Sequence, residues 1–299
     1  MAKTNFYDEI SKNNYKSSFL ILLVIGFLIF LGYIFGVFYL GSPIAGVVLA
    51  IIISFFYILI GYYAGQNIIL KASGSKEVHK KDYPYLFNTV EGLAIAAGIP
   101  MPKLYIIKED SPNAFATGRD PKHASVTVTT GLLNLLNREE LEGVIAHELS
   151  HIKNYDVRIM MLTTVLVGAL VLISDFFVYS TWFSSGSRDR GNGHIIMIVI
   201  ALALAILTPI IGEIMKLAIS RKREFLADAN GALLTRYPRG LANALKKIAN
   251  DSHPDIPGVN KATAHLWIES PLRGKKGFVT NLFSSHPPIN ERIKKLESM

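Results

Sequence analysis

His147-Glu148-Leu149-Ser150-His151 sets two imidazoles four residues apart, with a carboxylate beside the first. On a helix that spacing puts both rings on one face, one turn apart. Two rings so placed can share one zinc ion, which takes nitrogen or oxygen donors at about 2 Å. Glu148 then stands where a general base belongs. It can take a proton from water activated by the metal and pass it to a leaving amine. The chemistry expected of these five residues is metal-assisted hydrolysis of a peptide bond. The chain has no cysteine, so thiolate ligands, cysteine nucleophiles and disulfides are excluded.

A catalytic zinc takes three protein ligands and keeps one position open. No third histidine follows His151 at the spacing of the longer zinc motif, because the next residues are Ile152-Lys153-Asn154-Tyr155-Asp156. A carboxylate must therefore come from elsewhere. The best candidate is Glu224 in Arg223-Glu224-Phe225-Leu226-Ala227-Asp228. Glu224 and Asp228 again share one helical face. The first can bind the metal, and the second can orient a ligand imidazole through its other nitrogen. Asp156 can cap or orient nearby groups and is left unassigned.

The elements that must bring these groups together are unusual. Half of the 299 residues are hydrophobic and only 18% are charged, against roughly 25% charged in a soluble domain. Four apolar runs approach or exceed the ~20 residues that cross a bilayer. They lie at about 19–40, 44–64, 159–183 and 195–217. Asp8 and Glu9 and the length of the first run argue for a retained span, not a cleaved signal. The last two runs lie between His151 and Glu224. Two crossings return the chain to its starting side, so Glu224 can meet the histidine pair near the membrane face. In a soluble core hairpin, the alternative for 159–217, the metal group would survive without that nearness.

The net charge is +8, and no nucleic-acid motif accompanies it. Its placement fits topology control. Lys and Arg gather before the first run, between the second and third, and after the fourth. The opposite side holds Gly41-Ser42-Pro43 and a loop near Arg188 and Arg190. Both termini and the middle segment are therefore expected on the cytoplasmic side.

The middle segment reads as mixed α/β. Helical spacing runs from Tyr85 to Ala97 and stops at Gly98-Ile99-Pro100. Short strands are expected at 103–107, 114–117 and 125–129, with Gly118-Arg119-Asp120-Pro121 as the turn. Asn137, followed three residues on by Glu140, should cap the helix that carries the histidines. Helices are also expected at 239–250 and 289–297, whereas 251–282 matches no motif.

The two histidines and Glu148, with Arg223-Glu224-Phe225-Leu226-Ala227-Asp228 after an apolar hairpin, resemble the HtpX family of membrane zinc metallopeptidases. These are relatives of the prenyl-protein endoproteases. Asn113-Ala114-Phe115-Ala116-Thr117-Gly118 and Ser285-His286-Pro287-Pro288 match that family too. The resemblance covers nearly the whole chain. It implies a multi-pass α-helical membrane protein, with about four transmembrane helices and a cytosolic α+β zincin-like (gluzincin) unit. The domains would be a membrane hairpin at 1–70, a peptidase part at 71–156, a second hairpin at 157–219 and a closing peptidase part at 220–299. It implies one Zn2+ per chain on His147, His151 and Glu224, with Glu148 as general base. It further implies endoproteolysis of membrane or misfolded polypeptides in quality control at the bacterial cytoplasmic membrane.

Asn113 to Gly118 has a physical use beside that resemblance. An exposed edge strand there could pair with an extended substrate; an ordinary core hairpin is the alternative. His286 could donate to a developing oxyanion, or the His-Pro-Pro run could only shape the entry to the last helix. The partners expected are polypeptide substrates and a lipid bilayer, with no nucleic acid; oligomeric state is not legible. Two rivals differ in class. A catalytically inactive zinc-binding or scaffold protein would have no need of Glu148. A transporter would use Asp175 and Glu213 within the bilayer, but both lie near the ends of their runs.

Overall fold

A computed structural model describes residues 32–166, 221–251, 266–268 and 287–299, with residue 168 and short stretches before residue 32. The apolar runs expected at 159–183 and 195–217 lie outside the described residues, apart from 159–166 and residue 168. So does His286.

Helix α1 spans Pro43–Ala72, with Pro43 in its first turn and the Ser42 hydroxyl accepting from the Ala45 amide. It runs on past residue 64, where the apolar run was expected to end. Its last turns have a different job: Ile69 and Leu70 are buried, and Ile69 packs with Ile107 and Phe115. Among the described residues it is the one helix long and apolar enough to cross a membrane. A π-helical turn at Gly36–Leu40 precedes it and packs against its start. There Gly32, Gly36 and Gly46 approach so closely that a Cβ on any of them would meet the facing chain. Small residues of this kind let apolar helices pack backbone to backbone.

The remaining elements build an α/β unit. They are β1 (Lys76–Glu77), α2 (Pro84–Ala97), β2 (Lys103–Ile107), β3 (Ala114–Asp120), β4 (His123–Thr129), α3 (Thr130–Leu135) and α4 (Arg138–Lys153). Residues 156–166 continue as helix α5. After the gap come α6 (Arg221–Thr235), α7 (Pro238–Ala249) and α8 (Ile289–Glu297). The strand order is β1-β2-β4-β3, with β2 and β4 parallel and the outer pairs antiparallel. The β3–β4 hairpin is longer than the sequence pattern marked. Gly118 sits at φ 153, where a Cβ would strike the His123 carbonyl, so only glycine fits.

Both faces of the sheet are covered. On one side Leu104, Ala116, Val126 and Val128 join Val90, Val144, Ile145, Leu149 and Leu245 in a single apolar core. On the other, Ile107 and Phe115 meet Ile69 of α1, Met160 to Leu162 of α5, and Leu266 and Trp267. The Phe115 and Trp267 rings meet edge to face at 4.8 Å. The second cluster ties the apolar helix to the sheet.

Of the two readings of Asn113 to Gly118, exposed edge strand or core hairpin, the described residues show a buried hairpin strand. β3 is the edge strand by hydrogen bonding, yet all six residues are buried. The Ile268 amide donates to the Ala114 carbonyl, and Trp267 covers Phe115. Leaving an edge of alanines and Phe115 bare would expose both apolar surface and unpaired backbone, and covering it removes both costs.

Candidate metal centre and active site

Helix α4 is fixed before it reaches the histidines. Asn137 accepts from the Glu140 amide, and the Glu140 side chain accepts in return from the Asn137 amide. This reciprocal cap is the one the sequence spacing indicated. Acidic Glu139 and Glu140 stand at the N-terminal end, and His151 and Lys153 at the C-terminal end, as the helix dipole favours. Two close crossings then set the neighbours. Gly143 lies against the backbone of Leu241 in α7, and Gly231 of α6 lies against the backbone of His147. The second contact brings α6, and Glu224 two turns earlier, onto the histidine face.

The donor atoms converge. His147, His151 and Glu224 each offer one ligand atom within 4.8 Å of the others. The two Nε2 atoms are 3.2 Å apart. Glu224 Oε1 lies 3.5 Å from His151 Nε2, and its Oε2 lies 3.8 Å from His147 Nε2. A tetrahedral ion with donors at about 2 Å has edges of about 3.3 Å, so the pair of Nε2 atoms, faced by the Glu224 carboxylate, suits a metal of that kind. All three side chains are buried, at 1%, 4% and 1% exposed, and Glu148 at 2% is buried beside them.

Each imidazole is oriented from behind by a carboxylate, and each carboxylate is held by an arginine. His147 Nδ1 is 2.9 Å from Asp228 Oδ1. Arg292 of α8 grips the same carboxylate with two bonds, Nε to Oδ2 at 2.9 Å and Nη2 to Oδ1 at 2.7 Å. His151 Nδ1 is 3.0 Å from Asp156 Oδ2, and Arg223 Nη1 donates to Asp156 Oδ1 at 3.3 Å. An ionised carboxylate only accepts, so each Nδ1 carries the proton and each Nε2 turns its lone pair toward the shared centre.

The electrostatics ask for a cation. Among the described residues, the buried carboxylates Glu148, Asp156, Glu224 and Asp228 surround the histidine pair, with Arg223 and Arg292 beside them. A cation suits a centre so rich in carboxylates. Burial pushes the Asp228 carboxyl up, but Arg292 and His147 outweigh it and hold the group at about 2. Burial alone would lower His151; its bond to Asp156 and the charges of Glu224, Asp156 and Glu148 instead raise it to about 9. In the absence of a metal, the site draws a proton to the place where a cation fits.

Asp228 therefore stands behind His147, where the sequence spacing suggested an orienting group. Asn113 is buried at the start of β3, exchanging bonds with Thr129 and accepting from the Ala114 amide. Three residues had no sequence signal strong enough to place them. Asp156 reaches His151 because Tyr155 turns the chain at φ 60. Arg223 was legible only as the neighbour of Glu224. Arg292 comes from the last helix, with nothing local to mark it.

The sequence pattern of Peptidase family M48 matches residues 80–299. The chain belongs to that family. Relatives in the same family match end to end. A "Protease HtpX homolog" of Dictyoglomus thermophilum is 48% identical over 302 residues, covering 100% of this chain and 96% of that one. The protein of the same name from Streptococcus gordonii is 41% identical, with 98% and 99% covered. The crystal structure of S. mikatae Ste24p superposes with a TM-score of 0.52 at 19% identity. That superposition takes in 94% of this chain and 65% of that one, so the chain spans just under two thirds of the Ste24p length. The two chains thus share one fold, a mixed sheet with helices. This M48 chain is a metallopeptidase of the HtpX type, and its substrates are polypeptides.

Proposed function

We propose that the chain is a zinc-dependent endopeptidase of the bacterial cytoplasmic membrane that cuts membrane or misfolded proteins. In this reading His147, His151 and Glu224 hold one Zn2+ and Glu148 is the general base. The observation that carries it is the convergence of the two Nε2 atoms, 3.2 Å apart, on the Glu224 carboxylate, whose Oε1 lies 3.5 Å from one and whose Oε2 lies 3.8 Å from the other, next to the buried Glu148. Zinc bound there would acidify a water toward a pKa of about 7 and polarise the scissile carbonyl.

The chain's own residues supply the rest. Glu148 accepts the proton of the attacking water as the carbon–oxygen bond forms, and returns it to the amine as the carbon–nitrogen bond breaks. Asp228 and Asp156 keep His147 and His151 in the tautomer that directs Nε2 inward. Burial keeps bulk water from the reacting groups and strengthens each of these interactions.

The membrane reading has four spans, at about 19–40, 44–64, 159–183 and 195–217. Hairpins at 1–70 and 157–219 alternate with peptidase parts at 71–156 and 220–299, and both termini and the site are cytoplasmic. The length and hydropathy of α1 support the second span. The distribution of Lys and Arg supports the orientation.

The test uses the full chain in detergent, with zinc content and hydrolysis of an unfolded polypeptide measured together. Glu148→Gln should keep its zinc and lose hydrolysis; full activity in that variant would sink the mechanism. Glu224→Ala should lose zinc while the apolar helices remain folded, and unchanged zinc stoichiometry would remove Glu224 from the ligand set.

A further inference from the structure

The metal group is closed as the described residues stand. His147, Glu148, His151 and Glu224 are each 4% exposed or less, so a polypeptide reaches them only if a neighbour moves. The hydrogen bonding of β3 points to that neighbour. Thr129 donates its amide to the Asn113 carbonyl. Ala114 and Ala116, which alternate with the residues bonded to β4, therefore turn amide and carbonyl to the outer side of the sheet. An outer edge of that kind pairs with an extended chain. It also lies close to the chemistry, since Ala116 shares a core with Val144 and Ile145 of α4.

The chain itself takes the outer position at Ala114. Ile268 donates its amide to the Ala114 carbonyl at 2.9 Å, as a paired strand would. Trp267 beside it lays its ring edge to face on Phe115. The Ile268 carbonyl accepts from Arg292 Nη1 at 3.2 Å, and that nitrogen is 3.8 Å from Glu224 Oε2. Adding the length of one residue's backbone, the Ala114 carbonyl stands within about 14 Å of the Glu224 carboxylate. That is the reach of about four residues of extended chain. A strand seated at Ala114 can therefore carry a peptide bond to the metal group.

We propose that residues 266–268 are an internal stand-in for substrate. They fill the outer edge of β3 while the enzyme is idle, and they yield to an extended polypeptide that makes the same amide-to-carbonyl bond with Ala114. Once Trp267 leaves, Phe115 offers an apolar seat for one side chain of that polypeptide. The inference rests on the proposed protease function and adds to it the way the site opens.

Two features make the exchange possible. First, bonds are conserved: a substrate amide replaces the Ile268 amide one for one. Second, the stand-in fits imperfectly. The Trp267 indole N–H is buried, with the residue 1% exposed, and has no acceptor. A buried donor left unmet costs free energy, and the cost is relieved when the ring moves into water. An occupant with that defect competes poorly against a chain whose groups are all met. While it stays in place it reduces the apparent affinity for substrate by the fraction of molecules that are closed.

The test uses Trp267 as its own reporter. The chain has two tryptophans, Trp182 and Trp267, so Trp182→Phe leaves one. The full-length protein in detergent also carries Glu148→Gln to prevent turnover. The probe is reduced and carboxymethylated ribonuclease A, an unfolded polypeptide without tryptophan, and its binding is followed separately by the anisotropy of a dye-labelled sample. Alone, Trp267 should emit as a buried indole and resist acrylamide. Saturating probe should shift the emission to the red and raise acrylamide quenching several-fold. Bound probe with unchanged emission and quenching overturns the proposal. Ile268→Pro, which removes the donated amide, should raise kcat/KM for hydrolysis of the same polypeptide several-fold, chiefly through a lower KM. An unchanged or lower kcat/KM with zinc retained makes the segment a scaffold and overturns the proposal too. Should that variant lose its zinc, the Trp267 measurement decides. A zinc-loaded wild type that neither binds nor cuts the probe overturns the protease reading, and the stand-in with it.

Discussion

His147 and His151 can point Nε2 at a common centre because their other nitrogens are already committed, one to Asp228 and one to Asp156. Replacing such an orienting carboxylate typically costs 10–100-fold in metal affinity. Asp156→Asn and Asp228→Asn should each lose affinity in roughly that range, read by competition with a chromophoric chelator. Wild-type affinity in both would mean that the carboxylates do not orient the rings. Arg292 is a different case, since its guanidinium is fully buried against Asp228. Removing one partner of a buried ion pair costs about 3–5 kcal/mol, because the other charge is left bare. Arg292→Met should therefore lower the unfolding midpoint sharply, and adding Asp228→Asn should restore part of the loss. Strict additivity of the two would disprove the coupling. At this scale the sequence was legible where chemistry is local. The pair His147 and His151 with Glu148 can be read off one helical turn, and Glu224 with Asp228 off another. Asp156 was not legible as a partner, because five residues is no helical spacing; only the left-handed turn at Tyr155 folds it back. Arg292 lies far along the chain and carries no local mark at all.

Helices α4, α6 and α7 meet at glycines, and the helix positions depend on those crossings. A Cβ on Gly143 would lie 2.6 Å from the Leu241 nitrogen, so one backbone must move. Gly143→Ala should cost about 1–3 kcal/mol, the usual range for overpacking, seen as a lower unfolding midpoint. Gly231→Ala meets His147 backbone atoms at 3.1 Å and beyond, so its effect should be smaller on stability and fall on metal retention. A Gly143→Ala variant as stable as wild type would show that α7 can shift freely. Loss of the cap in Asn137→Ala should cost about 1 kcal/mol, measured the same way. The cap was visible in sequence because it is a four-residue pattern. Helix–helix crossings were not, since a glycine in a helix does not say which neighbour approaches it. The strands at Lys103 and His123 were readable from β-branched and apolar residues; the two-residue strand β1 was too short to carry a pattern. The buried state of β3 was also beyond the sequence, because alternation marks a strand without saying what covers its edge.

The molecule as a whole joins an apolar helix to a charged, buried centre through the Phe115, Met160 and Trp267 cluster. A metal bound there would contribute to the fold's stability. Among the described residues Glu148, Asp156, Glu224 and Asp228 are buried around the histidine pair, so chelation should leave carboxylates facing one another in the core and lower the unfolding midpoint. A ligand at a hundred times its Kd stabilises by about 2.7 kcal/mol, so a loss of several degrees is expected, reversed when zinc is added back. A midpoint indifferent to chelator would separate the metal from the fold. The second apolar run was legible in the sequence as a long helix. How far α1 would continue as one helix was not legible, because Gln66, Asn67 and Lys71 end the apolar run while Ile69 still packs on Phe115. One further property follows from the donor set. Its atoms are nitrogen and oxygen, in a chain without a single thiol. Peroxide, which converts thiolates to sulfenic and sulfinic acids, finds nothing at this centre to convert. The centre is redox-silent, indifferent to whether its surroundings are oxidising or reducing.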